Sequence, residues 1–316
     1  MNVYEQIRYL WEKSPQDFER RVQGWADNLE KKREEVKRNR SLFRAWKPLE
    51  VYVSYSFINS GVFSIRFFGQ EVAKLKVVDG KKILIFGEKH VRHNEKYFKL
   101  KGFGVGKYPW EEATKFRKHF KQVEISDPCI RTGIEEHKLE SLFLREMSKK
   151  SSENKFSGKL SEIQPVKVAG CPLQMPLPIG GSAGEPKPGH GHIDILARRR
   201  IRGTKVLLSV WELKDVNKLA QAVKQAYIYA VTLLLMLKSP SGQKWYKIFG
   251  FHGKLPKKLG VEAVVAVSRS EKAKVDKTIK ETIHLMPLEI KEGTIDLFAC
   301  VYDVTEPLDI DFRKIS

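Results

Sequence analysis

Two apolar runs between Gly191 and Asp215, HIDIL and VLLSVWEL, each carry one carboxylate where a buried strand ordinarily carries none. The acids are Asp194 and Glu212, and Lys214 follows two residues after the second. Residues i and i+2 of a strand share a face, so Glu212 and Lys214 project together while Leu213 turns away. A tight symmetric hairpin through RRRIRGTK has its centre at residue 203. It sets Asp194 opposite Glu212, with about 4.5–5.5 Å between Cβ atoms. Two carboxylates that close repel, and burying both is costly unless a cation lies between them. A hard divalent ion, Mg²⁺ or Mn²⁺, neutralises such a pair and keeps positions for water and phosphate oxygens. Lys214 adds a point charge that can orient or deprotonate an attacking water, or stabilise charge growing on phosphorus. The ordinary alternative has Asp194 capping a strand and Glu212 paired with Lys214 or an arginine. A surface pair of that kind contributes about 0–1 kcal/mol. It leaves unexplained why both acids stand among Ile, Leu, Val and Trp.

The surrounding sequence supplies elements to hold these groups. GIEEHKLESLFLREM reads as a helix with Leu139, Leu142, Phe143 and Met147 on one face. A short strand is expected within 163–169. The Pro/Gly-dense stretch CPLQMPLPIGGSAGEPKPGHG reads as a long loop, unable to be helix or central strand, that ends at the first carboxylate strand. Strands at 191–198 and 206–213 follow, then a helix over 216–238, a strand at 261–267, a helix over 271–284 and a strand in IDLFACVYDV. Helices alternating with apolar strands predict an α/β sheet with helices on its faces. His190 and His192 of GHGH read as loop residues at the mouth of the site, with metal ligation as the alternative. His192 is expected to face as Asp194 does.

The pattern D-x17-E-x-K on two apolar strands resembles the PD-(D/E)XK nuclease superfamily, although Ile193 stands where that superfamily often has Pro. QAYIY adds Gln225 and Tyr229, which resemble the Q-x-x-x-Y of its RecB-like and archaeal repair branches. A spacing of four places the two on one helix face. GIEEHKLESLFL offers Glu136, or Glu140 one turn on, in the place of the superfamily's helix glutamate. The resemblance spans about residues 130–270 and leaves the N-terminal part uncovered. It implies a restriction-endonuclease-like mixed sheet flanked by helices. It also implies that Asp194 and Glu212, with the Leu213 carbonyl, hold Mg²⁺ or Mn²⁺ and that Lys214 serves the attacking water. Glu136 or Glu140 would bind a second metal or position that water, while Gln225 and Tyr229 support the site. The activity so implied is a divalent-metal-dependent endonuclease hydrolysing phosphodiester bonds in DNA, and the resemblance also implies a homodimer, because two strands need two sites. An RNA-processing nuclease on the same scaffold, and a non-catalytic nucleic-acid-binding protein that keeps the fold, are the alternatives.

The whole chain agrees with a polyanionic partner. Its 316 residues carry 58 Lys and Arg against 38 acids, a formal charge of +20. The run KKREEVKRNRSLFRAWK closes a long charged helix expected over 15–47. Basic residues in 31–47, 115–121 and 198–205 are the expected phosphate contacts. Residues 49–88 read as strands, EVYVSYSFI, VFSIRFF, EVAKLKVV and KKILIFG, and YPWEEATKFRKHFKQV as a second amphipathic helix. Residues 1–125 are therefore expected to form an N-terminal basic α+β, β-rich module for nucleic-acid binding or dimerisation, and the resemblance implies a nuclease domain over 126–316. Tyr52, Tyr55, Phe57, Phe63, Phe67 and Phe68 could stack on bases, but strand alternation makes most of them core. Cys129, Cys171 and Cys300 form no C-x-x-C pair, which disfavours a cysteine zinc site or iron–sulfur cluster and fits a reducing compartment. GFGVGK at 102–107 lacks the spacing of a nucleotide-binding P-loop. The opening residues lack the apolar core of a signal peptide, and AYIYAVTLLLML falls short of the roughly 20 residues that cross a bilayer. The expectation is a soluble, cytoplasmic protein without membrane contact.

Overall fold

The computed structural model describes residues 1–44, 47–126, 135–148, 162–181, 183–201, 205–213, 219–303 and 309–315. Over these residues the chain is a mixed α/β protein in two units. One comprises Met1–Asp27, Phe143–Val166 and Gln174–Ser316, and the other Asn28–Leu142 with Lys167–Leu173. The partition follows no single cut at residue 125. Helix α1 (Val3–Lys13), started by a reciprocal capping box between Asn2 and Glu5, packs on a helix of the C-terminal half. Helix α2 (Pro15–Arg44) opens on a proline, whose missing N–H costs nothing at a first helical turn.

The unit centred on residues 28–142 is built on an antiparallel meander. Its strands are β1 (Glu50–Tyr52), β2 (Val62–Phe67), β3 (Gln70–Val78), β4 (Lys81–Phe86) and β5 (Gly106–Pro109), hydrogen-bonded in that order. The turns Phe68-Gly69 and Asp79-Gly80 have positive φ at both residues, as two-residue hairpins matching strand twist require. At Gly69 a Cβ would lie 1.9 Å from the His137 carbonyl oxygen, so only glycine fits. EVYVSYSFI is not one strand: β1 stops at Tyr52 and helix α3 (Tyr55–Ser60) follows, ended by Gly61 at φ 70°. Ser54 and Gly61 bracket that helix as start and stop residues. Helix α4 (Glu88–Phe98) was hidden in the sequence because its inward face is His90, Asn94 and Phe98 rather than aliphatic. Helix α5 (Ala113–Ser126) brings Phe116 and Phe120 into a cluster with Phe67, Phe86 and Phe98. Tyr52, Phe57, Phe63 and Phe67 are at most 1% exposed, so these rings are core and unavailable to bases. Helix α6 (Glu135–Met147) completes the described part of the unit with its first half.

A polar set joins β2, β3 and α4. Glu71 accepts from the Ser64 hydroxyl and lies 2.8 Å from His90 Nε2, while His90 Nδ1 accepts the Gly87 N–H. Burial alone would raise the Glu71 carboxyl. The bonds from His90 and Ser64 and the nearby Lys74 charge outweigh it and hold the group below its ordinary value. A carboxyl depressed in the folded state stabilises above its unfolded pKa, and that contribution fades as pH falls through the folded pKa. Glu71→Gln should therefore lower the denaturation midpoint at pH 7 and converge on wild type at about pH 3, read by urea titration at both pH values.

The other unit contains one seven-stranded mixed sheet. Strand β6 (Ile163–Pro165) is the last strand at one side of it, and the short pair β7 (Lys167–Val168) with β8 (Cys171–Pro172) belongs to the unit of the meander. The stretch expected as a loop is instead a two-stranded ribbon, β9 (Pro176–Gly180) against β10 (Lys187–His192). Each ribbon strand has a free edge, where a proline without an N–H breaks no ladder. Strands β11 (Ile195–Arg200) and β12 (Val206–Leu213) pair antiparallel, and β13 (Leu259–Ser268) lies parallel to β12. The edge is made by β14 (Glu289–Ile290), β15 (Gly293–Asp303) parallel to β13, and β16 (Asp309–Lys314). Helix α7 (Leu219–Lys238) crosses from β12 toward β13, followed by α8 (Gly242–Ile248), and α9 (Lys272–Thr282) links β13 to the edge. Helix α7 is long and apolar enough to cross a membrane, but 83% of its apolar window is buried in the protein. It is the core helix of this unit.

Candidate active site

The β11–β12 register pairs Ile195 with Trp211 and continues without a bulge to Arg200 opposite Val206. Asp194 is a bend residue one step before β11, and carrying the register on by that step sets it opposite Glu212, as the symmetric hairpin predicts. The Leu213 N–H donates to Asp194 Oδ2 at 2.9 Å, which fixes the aspartate at the mouth of the strand pair. Asp194 is half-buried, whereas Glu212 is fully buried. Alternation along β12 sends Ser209 and Trp211, themselves joined by a 2.9 Å bond from Nε1 to Oγ, to the opposite face. There Trp211 packs on Phe143 and stacks on Phe312.

Helix α7 covers the face that Glu212 occupies. Gln225 and Tyr229 are one turn apart, both nearly buried, and Gln225 Nε2 donates to Tyr229 Oη at 3.1 Å. The phenol is pushed up to about 12, first by burial and next by the Glu212 charge, with Asp194 adding to it. The bonds from Gln225 and the Gly181 backbone oppose the rise. Tyr229 thus reports both carboxylates at once. With Gln225 and Gly181 donating to its oxygen, the Tyr229 proton is the hydrogen left for donation.

Two glycines that sequence reasoning passed over bring the β9–β10 ribbon against α7. A Cβ on Gly181 would sit 3.0–3.3 Å from three Ile228 side-chain atoms. At Gly191 it would meet the Ile179 carbonyl oxygen at 2.7 Å and Tyr229 Cε1 at 2.8 Å. The signal in the sequence was glycine on both sides of the prolines, a pattern of close backbone approach as well as of loops. Gly191→Ala should displace the Tyr229 ring and cost about 1–3 kcal/mol, the usual size of overpacking. A thermal melt of that variant checks it.

Lys214 lies outside the described residues, as does Cys129. Glu140 is 4% exposed and pairs with Arg66 at 3.3 Å, with His137 Nδ1 at 3.8 Å. Arg66 also donates to the Gly69 carbonyl at 3.1 Å and lies over the Tyr52 ring, so the burial of Glu140 is explained by an arginine of its own unit. Glu136, one turn earlier, is half-buried. His190 packs near Trp25 at 6.4 Å, and burial followed by the Arg21 charge lowers its pKa. His192 is half-buried beside the site.

Several expected phosphate contacts have other employment. Lys32 Nζ donates to the carbonyls of Phe57 and Ile58 at 2.9 and 3.1 Å. Arg198 donates to the Gly250 carbonyl at 2.8 Å, and Arg199 grips the buried Glu262. Arg200, Lys205, Lys115 and Lys118 remain exposed.

Among the described residues no group of three His, Cys, Asp or Glu side chains is close enough to hold a metal ion. The donor set at the site is the Asp194–Glu212 pair and the adjoining backbone. Paired carboxylates of this kind suit a hard, oxygen-seeking cation that keeps several waters. No protein-family profile, curated protein or solved structure matches the chain.

Proposed function

We propose that this protein is a divalent-metal-dependent endonuclease that hydrolyses phosphodiester bonds in DNA, on a restriction-endonuclease-like version of the mixed sheet. The observation that carries the reading is that Asp194, bonded to the Leu213 N–H beside Glu212, and Glu212 itself both act on Tyr229 of the overlying Gln225–Tyr229 pair. Neighbouring acids among apolar strands are a feature of functional sites more often than of stabilising ones, which supports this reading. Bound Mg²⁺, or Mn²⁺ in its place, supplies a Lewis acid for a phosphoryl oxygen and a more acidic water. Asp194 and Glu212, with the Leu213 carbonyl, are the groups to hold it, and the Leu213 N–H keeps Asp194 oriented. Lys214 serves the attacking water. Tyr229 and Gln225 close α7 over Glu212 and exclude bulk solvent there. Of the helix glutamates, Glu140 is already engaged by Arg66 within its own unit. The net charge of +20 supports a polyanionic substrate, and a cytoplasmic homodimer acting away from membranes completes the proposal.

The test is incubation of the purified chain with linear, nicked, branched and single-stranded DNA, and with RNA of matched sequence, with and without Mg²⁺ or Mn²⁺. Metal-dependent cleavage of DNA that is lost in Lys214→Ala supports the reading. Cleavage of RNA alone moves the assignment to RNA processing, and binding without any cleavage moves it to a non-catalytic binder.

A further inference from the structure

A second basic site lies in the unit of the β-meander, built from the GFG turn that failed the P-loop pattern and from α5. A cavity of about 630 Å³ is walled on one side by Lys101, Gly102 and Phe103 and on the other by Lys115, Lys118 and His119. Lys115 and Lys118 are three apart on α5 and so share a face. All three lysines are exposed, and among the described residues no carboxylate pairs with them. Glu112 is the one acid on the wall, which leaves the opening strongly positive. The Phe98 carbonyl holds His119 Nε2 at 2.8 Å and fixes that ring in place. At Gly102, φ is +84° and nothing lies within 4 Å of where a Cβ would be, so backbone is open to the cavity there. Phe103 rests on Phe86 at 5.3 Å and on Tyr108 at 5.3 Å, yet it stays half-exposed and lines the cavity.

We infer that this pocket binds a single-stranded segment of DNA, with backbone phosphates on Lys101, Lys115 and Lys118 and an unpaired base on Phe103. Spread ammonium groups beside one rigid, half-exposed aromatic ring fit a strand whose bases are free to stack. Bases inside a duplex are already stacked on their neighbours and offer no such face. The inference rests on DNA being the partner of this protein, and it narrows the substrate to DNA with an unpaired stretch.

Fluorescence anisotropy in EDTA tests it, using a labelled mixed-sequence 20-nucleotide strand and a blunt duplex of equal length. The wild-type chain should prefer the single strand. The triple variant Lys101→Gln, Lys115→Gln, Lys118→Gln should lose about tenfold or more in affinity, and its log K against log salt slope should flatten by about 2. Phe103→Leu should weaken strand binding by about tenfold with an unchanged salt slope. The lysine variant leaves the aromatic cluster intact, so its loss cannot be assigned to unfolding. Unchanged binding in both variants, or displacement of the strand by millimolar free nucleotide, overturns the pocket and leaves the nuclease reading standing. Absence of DNA binding by the wild-type chain overturns both.

Discussion

Glu212→Gln is expected to remove Mg²⁺-dependent DNA cleavage while leaving the chain folded and at least as heat-stable as wild type. The carboxylate is fully buried on an interior strand, and Asp194 accepts the N–H of the next residue, Leu213. An ionised group so placed costs several kcal/mol in lost hydration and adds repulsion from its neighbour. Glutamine has the same shape and no charge, so the strand keeps its packing and sheds that cost. Cleavage should fall by at least about 10²–10³-fold, the size of losing one preorganised electrostatic partner. Asp194→Asn should behave alike, since an amide oxygen can still accept the Leu213 N–H. Combining the two should add little, because groups that act as a unit are strongly non-additive. Initial rates on plasmid DNA together with thermal melts measure both halves of this expectation. A large loss of stability in Glu212→Gln would mean that the carboxylate serves the fold instead.

Arg199→Met should be the most destabilising single change outside the site. Glu262 is fully buried on β13, and Arg199 Nε reaches its two oxygens at 2.8 and 2.9 Å, with Nη2 also bonded to it. The guanidinium lies over the Phe298 ring at 4.9 Å and the Phe312 ring at 5.6 Å. Burial pushes the Glu262 carboxyl up, and the bond and charge of Arg199 pull it back. Removing the arginine leaves a carboxylate in an apolar layer, which costs about 3–5 kcal/mol in comparable buried pairs. The double variant Arg199→Met, Glu262→Leu should recover most of that loss, because apolar replacement of a whole buried pair is often neutral. Urea denaturation of the two single variants and the double completes the cycle.

The alignment of Asp194 with Glu212 was legible because a short symmetric connection leaves little freedom of register. Apolar flanks also marked both runs as interior strands. Gln225 and Tyr229 were legible for the same kind of reason, since a spacing of four survives any small error in where the helix begins. Helix α4 was not legible: its buried face is polar, with Asn94 donating to the Val72 carbonyl at 2.7 Å, so apolar periodicity had nothing to register. The β9–β10 ribbon was hidden by its prolines, which exclude a central strand but not a two-stranded one. RRRIRG was expected to contact phosphates, yet Arg198 and Arg199 turn inward to a carbonyl and a carboxylate. Local sequence carries charge but not the identity of a partner some fifty residues away or more, as with Gly250 and Glu262. Lys214, on which the sequence argument leaned, lies outside the described residues.

The pairing of Asp194 and Glu212 around one hard cation is tested most directly by an electron paramagnetic resonance titration of Mn²⁺. The wild-type chain and the Asp194→Asn, Glu212→Gln double variant are compared, each bound to a non-cleavable phosphorothioate DNA, with that DNA alone as reference. The wild-type complex should sequester Mn²⁺ beyond what the DNA takes up, and the double variant should not. Equal uptake by the two proteins would contradict a metal centre at these residues.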